Sequence, residues 1–473
     1  MELARPQIHS RQFHALLAAT AMGVYVLVML GVTAAVTDAT QACAAWPICG
    51  SGYDLPQTLI GWIVIVHRVI AALVGGLLLA TLGYALSNRL TRRVLLAILT
   101  GSVLYPFQAG IGAIVATKGG TDLLSGIHLG GGLSIFLSLT VALAWTLESD
   151  TGTRARQKTT HEEVPTSPHN SPTEAESPVG TTETGFRGVI AAYVRLTKPR
   201  LMWLLSLVAS AGMGLAAATS ATLTPEIALA TLAGGVLSIG ASGTFNHILE
   251  RDVDRQMQRT SDRPLATDVV SLSNAIVFGT VLSLGSVALF AWVNPLVAVL
   301  GLTAIIFYTV VYTLILKPHT VQNTVIGGAA GALPALIGWT AVAGEIGIGG
   351  IALAVLIFVW TPAHFYNLAL AYQDDYERGG FPMMPVIRGE TTTRKHVVWW
   401  LALTLAVAGG LATMQALGLL FAMTSIIFGG IFLYFVMQLH YRQSDSAAFR
   451  SFHASNAYLG SVLFAILIDS MVI

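Results

Sequence analysis

"EIALATLAGGVLSIGASGTFNHILERDVDRQMQRTSDRPL", residues 226–265, joins two opposite chemistries without a spacer. After Glu226 it is apolar or small as far as Phe245. From Glu250 onward it crowds Glu250, Arg251, Asp252, Asp254, Arg255, Arg259, Asp262 and Arg263 together. About 20 apolar residues in helical form cross roughly 30 Å of hydrocarbon, so the first half reads as a span and the second as its emergence into water. Two readings of the charged half compete: a solvated loop between membrane helices, or a metal-dependent active site.

The rest of the chain agrees with a span. Of 473 residues, 54% are hydrophobic and 10% charged, against roughly 25% charged in soluble domains. Apolar runs of similar length recur throughout, and in lipid only helices or closed barrels satisfy the backbone. The fold class is therefore all-α and polytopic. Thirteen spans are expected near 14–36, 58–84, 94–116, 122–146, 199–219, 226–248, 270–291, 296–316, 323–343, 347–370, 396–417, 420–439 and 453–471. With the N-terminus inside and sides alternating, 23 of the 25 Lys and Arg residues fall on the cytoplasmic side; Arg68 and Lys118 are the exceptions. That is the orientation the positive-inside bias selects. The first apolar run is too long for a cleavable signal peptide. A net charge of +1 gives nucleic-acid binding no support.

Residues 148–190 interrupt the apolar pattern with Ser, Thr, Pro and Glu. Such a segment has little to bury and reads as a disordered cytoplasmic linker. It separates a four-span unit (1–147) from a nine-span unit (191–473). A tether of that kind raises effective concentration and sets no geometry.

Asn246, Glu250 and Asp254 are spaced i, i+4, i+8 and share a helix face at the cytoplasmic end of their span. A second acidic group follows the span ending near 370, in "WTPAHFYNLALAYQDDYERGGFPMMPV". If that helix continues, His364, Asn367 and Asp375 share a face as well. Carboxylates brought together repel unless a cation joins them, and Mg²⁺ takes oxygen ligands and completes its shell with substrate phosphates. Lys198, Arg200, Arg259 and Arg263 are placed to neutralise further phosphate charge. Charges at a helix end also reach water cheaply, so spacing alone leaves the solvated loop open.

The long unit resembles the UbiA-type intramembrane prenyltransferases, and within them the protoheme IX farnesyltransferase (heme O synthase) branch. The resemblance rests on Asn246-His247-x-x-Glu250-x-x-x-Asp254, "LTKPR" (196–200), "RTSDRPL" (259–265), "YTLILKPHTVQNTVIGGAAGALPALIGW" (312–339) and "DDYERGGFPMMPV" (374–386). It implies a nine-helix bundle in which Asn246, Glu250, Asp254 and Asp375 are catalytic and hold Mg²⁺. Lys198, Arg200, His247, Arg259, Arg263, Lys317 and His364 become the substrate-binding set for farnesyl diphosphate and protoheme IX. His247 and Glu250 stand where many relatives carry Asp or Asn and Asp, and Ala371 stands where an acid precedes Asp375 by one turn. The implied product is heme O in the cell membrane, handed to heme A synthase or to terminal oxidase assembly. A quinone precursor as acceptor and a non-catalytic heme carrier are the other readings; the heme-branch blocks argue against the first and the acidic motifs against the second.

The short unit carries His67 and His128 at depths that differ by a few ångströms on separate spans, at 1.5 Å per residue. Matched imidazoles on neighbouring helices are able to ligate one heme iron, and Arg68 either reaches a propionate or snorkels. Cys43 and Cys49, the only cysteines, are too few for a four-ligand zinc site and are read as a disulfide on the oxidising side. This unit resembles the N-terminal half of heme A synthase in its outer "CAAWPIC" loop (43–49), its His67-Arg68 pair, "QAGIGAIV" (108–115) and its second His helix. The resemblance implies bound heme b with His67 and His128 as axial ligands, and, as the runner-up function, a bifunctional heme O/heme A synthase. Ile63 replaces a Glu common in that family, and the family's second four-helix half is missing.

Overall fold

The computed structural model of the chain describes residues 5–37, 39, 46, 56, 58–161, 185–219 and 222–472, and it is helical almost throughout. In order the helices are α1 (Arg5–Val36), α2 (Leu59–Ser87), α3 (Arg92–Lys118), α4 (Asp122–His161), α5 (Phe186–Leu196), α6 (Pro199–Ala217), α7 (Pro225–Asp254), α8 (Leu272–Val293) and α9 (Pro295–Ile306). A π-helix (Phe307–Leu316) follows, then α10 (Lys317–His319), α11 (Asn323–Ala343), α12 (Ile348–Ala371), α13 (Gln373–Arg378), α14 (Met384–Arg388), α15 (Glu390–Leu411), α16 (Leu419–Arg442) and α17 (Asp445–Val472).

Among the described residues, 12 helices are long and apolar enough to cross a membrane, α9, the π-helix and α10 together making one of them. The chain is a multi-pass membrane protein. The remaining expected span, 396–417, is α15. It starts earlier than expected, and Arg394, Lys395 and His396 in its first turns dilute its apolar character; residues 412–416 form turns. α4 continues to His161, beyond the end expected for its span at 146. Residues 162–184 lie outside the described residues.

Helix starts follow local chemistry. Thr224 accepts a hydrogen bond from the Ile227 amide, with Pro225 as the first helical residue of α7, and Asn294 accepts from Val297 at 2.9 Å ahead of Pro295 in α9. Such caps satisfy amides the helix cannot.

Lipid is as apolar as Leu, so helix contact depends on close approach and polar bonds. α6 and α11 use the first. A Cβ on Gly338 would lie 2.0 Å from the Ala209 carbonyl oxygen, and one on Gly212 would lie 2.5 Å from that of Ala335. α1 uses the second: Tyr25 Oη is 2.7 Å from Ser425 Oγ on α16, and Thr20 Oγ1 is 2.9 Å from Thr81 Oγ1 on α2.

The Tyr25–Ser425 bond crosses between the two units. α1 and α4 pack directly on α15 and α16, and one apolar core runs through both, from Phe13, Tyr25 and Leu143 to Leu405, Phe432 and Tyr458. His14 Nδ1 also meets Tyr441 Oη at 3.0 Å. Whatever residues 148–190 do, helix packing sets the relation of the units, which the tether reading had left undetermined.

Candidate active site

α7 presents Asn246, His247, Glu250 and Asp254 as expected, but inward; all four are buried, and Asp254 is 2% exposed. A solvated loop is ruled out for these residues. Each acid has a basic partner. Glu250 accepts from Lys317 Nζ at 2.5 Å, and Asp254 accepts from Arg263 Nη1 with both oxygens, at 2.8 and 2.7 Å. The same Nη1 lies 3.7 Å from Glu250, so one guanidinium nitrogen spans the space between the carboxylates. Asn246 accepts from Lys198 Nζ and donates to Thr313 Oγ1 at 3.1 Å. Lys198 Nζ also reaches Tyr308 Oη at 3.3 Å.

Three local features build this arrangement. Lys198 has φ 53°, ψ 59° immediately before Pro199. A residue preceding proline is already restricted, and left-handed backbone costs a non-glycine residue on the order of 1–3 kcal/mol; here it turns the lysine into the bundle. Burial is the main cause that lowers the Lys198 ammonium to about 7; Arg263 and Lys317 add to this, against Glu250 and Asp254. Second, the π-helix widens the turn so that Thr313 Oγ1 bonds to the Tyr308 carbonyl, 2.8 Å away; π-helical turns often occur at functional sites. Third, the segment after α7 is tied back by Arg255, which donates to the Ala266 carbonyl at 2.9 Å and to both oxygens of Asp268 at 2.8 Å.

Asp375 departs from its expected place. α12 ends at Ala371, and Tyr372, at φ −122°, ψ 32°, breaks the helix before α13. Asp375 therefore does not extend the face of His364 and Asn367. It accepts the amides of Gln258 and Arg259 at 3.1 and 3.0 Å and pairs with Arg378. Burial pushes its carboxyl up, but the Arg259 amide, Arg378 and the Gln258 amide outweigh it and hold it below the usual value. Among the described residues, no three of His, Cys, Asp and Glu converge as a metal-holding group.

The basic residues rest on aromatic rings. Arg259 lies 4.9 and 5.3 Å from the ring centres of Tyr372 and Tyr376, Lys317 lies 4.3 Å from that of Phe381, and Lys198 lies 5.5 Å from that of Tyr308. Sequence reasoning missed Thr313, Tyr308, Tyr376, Phe381 and Arg378. The first two are hidden in an apolar run, where nothing marks one aromatic or hydroxyl residue over another. Two expected binders fall outside the cluster. Arg200 is exposed on the first turn of α6. His364 bonds Ser455 Oγ at 2.7 Å and is stacked between Trp360 and Phe452, both at 4.3 Å. His247 stays at the cluster, its Nδ1 buried without a hydrogen-bond partner.

The short unit is built differently. α1 and α3 each pack on both α2 and α4, which leaves α2 and α4 on a diagonal. His67 lies against Gly31 of α1 and His128 against Gly112 of α3. Glycines make the room: a Cβ on Gly31 would lie 3.2 Å from His67 Cε1, and one on Gly112 would lie 3.4 Å from His128 Cε1. His67 Nδ1, His128 Nδ1 and Gln108 Oε1 are buried without hydrogen-bond partners. Cys43 and Cys49 lie outside the described residues.

Comparison with known proteins places these features. Residues 207–462 match the UbiA prenyltransferase family. Protoheme IX farnesyltransferase from Haloquadratum walsbyi is 63% identical over 468 residues, 98% of each chain. Protoheme IX farnesyltransferase 1 from Saccharopolyspora erythraea is 39% identical over 308 residues, 64% of this chain and 97% of that one. A solved digeranylgeranylglyceryl phosphate synthase covers 60% of this chain and 99% of its own at TM-score 0.51 and 14% identity. A UbiA homologue from Archaeoglobus fulgidus, solved with GPP and Mg²⁺, covers 59% of this chain and 99% of its own at TM-score 0.41 and 18% identity.

Proposed function

This chain belongs to the UbiA prenyltransferase family, and we propose that it moves a farnesyl group from farnesyl diphosphate to a vinyl group of protoheme IX, making heme O. The observation that carries this reading is the buried set in which Asn246, Glu250 and Asp254 meet Lys198, Lys317 and Arg263, two acids and an amide against three bases. A relative named for this reaction and aligned nearly end to end supports the choice of substrates.

Lys198, Lys317, Arg259 and Arg263 bind the diphosphate, releasing Glu250 and Asp254 from their present partners. Asn246, Glu250 and Asp254 would then hold Mg²⁺, which supplies charge neutralisation to the leaving group. The donor set fits: it is all oxygen, and Arg263 Nη1 already places positive charge between the two carboxylates. As the C–O bond breaks, the four basic side chains meet the charge that develops on diphosphate in a dry setting, where fixed charges act most strongly. The vinyl group attacks the allylic carbon, and water then supplies the hydroxyl of the hydroxyethylfarnesyl side chain. Asp375 acts as a positioning residue that holds Gln258 and Arg259. His247 offers Nδ1 to the diphosphate, and His364 serves packing. The fifteen-carbon tail stays in lipid at ~0.8 kcal/mol per CH₂, while the diphosphate enters from the cytoplasm, the side the positive-inside bias assigns to this end.

Membranes carrying the chain, supplied with protoheme IX, farnesyl diphosphate and Mg²⁺, should yield the hydroxyethylfarnesyl heme by mass spectrometry. Unchanged heme overturns the reading, and a prenylated quinone precursor instead would reassign the acceptor.

The unbonded His67 Nδ1, His128 Nδ1 and Gln108 Oε1 favour a second role for the short unit, binding heme b between α2 and α4. The full-length protein should show a low-spin heme spectrum that His67→Ala abolishes; a colourless folded protein removes the assignment. A formyl heme among the products would add the oxidation step of heme A synthesis.

A further inference from the structure

The aromatic rings beneath the basic side chains are themselves sites for positive charge. Lys317 and Arg259 each lie over at least one ring, and Lys198 sits at the hydroxyl edge of Tyr308, which leaves the face of that ring uncovered by it. In the reaction proposed above, diphosphate draws these side chains toward itself. A new cation, the farnesyl allylic cation, then forms at the same place.

The helix register selects one ring. Lys317 pairs with Glu250 and Thr313 pairs with Asn246, so four residues along the π-helix segment match four residues along α7. Tyr308, five residues before Thr313, continues that ladder farther from the charged end, roughly 7.5 Å deeper at α-helical rise. Its hydroxyl contacts Lys198, which contacts Asn246. Diphosphate held at Asn246, Glu250 and Asp254 therefore puts its first prenyl carbons beside the Tyr308 ring. Tyr312 backs that ring at 5.5 Å between centres and rests on Gly327, where a Cβ would lie 2.4 Å from its Cδ2.

We propose that Tyr308 is a catalytic residue whose ring face stabilises the allylic cation, with Tyr312 holding that face in place. The C1–O bond breaks and its electron pair leaves with diphosphate, so the positive charge spreads over C1 and C3 against the ring. The vinyl electron pair forms the new bond to C1, water adds to the resulting cation beside the porphyrin, and the water proton goes to the released diphosphate. The ring forms no bond.

The test rests on the proposed reaction and reads it separately. Diphosphate release and heme product are measured together for the wild type, Tyr308→Leu, Tyr308→Phe and the chain carrying ring-fluorinated phenylalanine at 308. Tyr308→Leu should lower kcat about 30-fold with little change in KM for farnesyl diphosphate, which is ~2 kcal/mol at 1.36 kcal/mol per tenfold, the size of a desolvated cation–π contact. Tyr308→Phe should recover most of that loss, and fluorination should remove it again in proportion to fluorine count while shape is kept. Equal losses in Leu and Phe, or fluorinated rings as active as Phe, overturn the role. Wild type that releases diphosphate without farnesylating heme breaks the acceptor assignment alone, and the diphosphate-release ratios still decide Tyr308. Wild type that releases none overturns both.

Discussion

The two membrane units centre on different buried groups: paired charges in the long unit, unbonded imidazole and amide atoms in the short one. In the long unit the acids on α7 have basic partners, Glu250 with Lys317 and Asp254 with Arg263. In the short unit three buried atoms that face the α2–α4 diagonal, His67 Nδ1, His128 Nδ1 and Gln108 Oε1, have no hydrogen-bond partner. Burying an unpaired charge costs far more than leaving an imidazole nitrogen unbonded. A site for a charged substrate must therefore neutralise itself when empty, whereas a site for a neutral-ligand metal complex need not.

Four measurements sharpen or break this contrast. Asp254→Ala takes from Arg263 its nearest acid and removes an oxygen ligand; farnesyl transfer should fall roughly 100- to 1,000-fold, about 2.7–4 kcal/mol at 1.36 kcal/mol per tenfold. Transfer within a few-fold of wild type would show that the acidic face of α7 is not the site. Lys317→Met removes the nearest base of Glu250 and leaves it Arg263 at 3.7 Å, so unfolding should become easier by up to about 3 kcal/mol and KM for farnesyl diphosphate should rise; calorimetry and initial rates check both.

The third is pH dependence. With its ammonium lowered to about 7, Lys198 binds fewer protons in the folded chain than in the unfolded one between about 7 and its ordinary value. Its contribution to stability therefore rises with pH across that window, while affinity for the anionic diphosphate falls as the charge is lost. Lys198→Arg should flatten the KM profile, and an unchanged profile would remove Lys198 from the binding set. The smallest effect belongs to the joint between the units. Tyr25→Phe should cost on the order of 1 kcal/mol in thermal unfolding without altering kcat, and a large loss of transfer there would mean that the units act together.

Much of the site was legible because Asn246, Glu250 and Asp254 keep helical spacing, and a helix places i, i+4 and i+8 on one side whatever surrounds it. Lys198, Arg263 and Lys317 were legible as charges in blocks of recognisable order. Their pairing was not, since it depends on a left-handed backbone at Lys198 and a π-turn at Thr313, neither of which has a composition signal. Asp375 was read on a continuing helix, and the break at Tyr372 moved it to the loop it now holds.

By itself the sequence determined that this chain spans a membrane many times as helices, where its charges leave lipid, and which acids share a face. Those follow from local composition and from the fixed geometry of one helix. Only the tertiary structure decided that the acids point inward onto bases, that aromatic rings lie beneath those bases, and that the two units share a core across Tyr25 and Ser425. Such facts depend on residues far apart in the chain, and in lipid, where apolar surface is no guide to what packs on what, they become visible only once the helices are in contact.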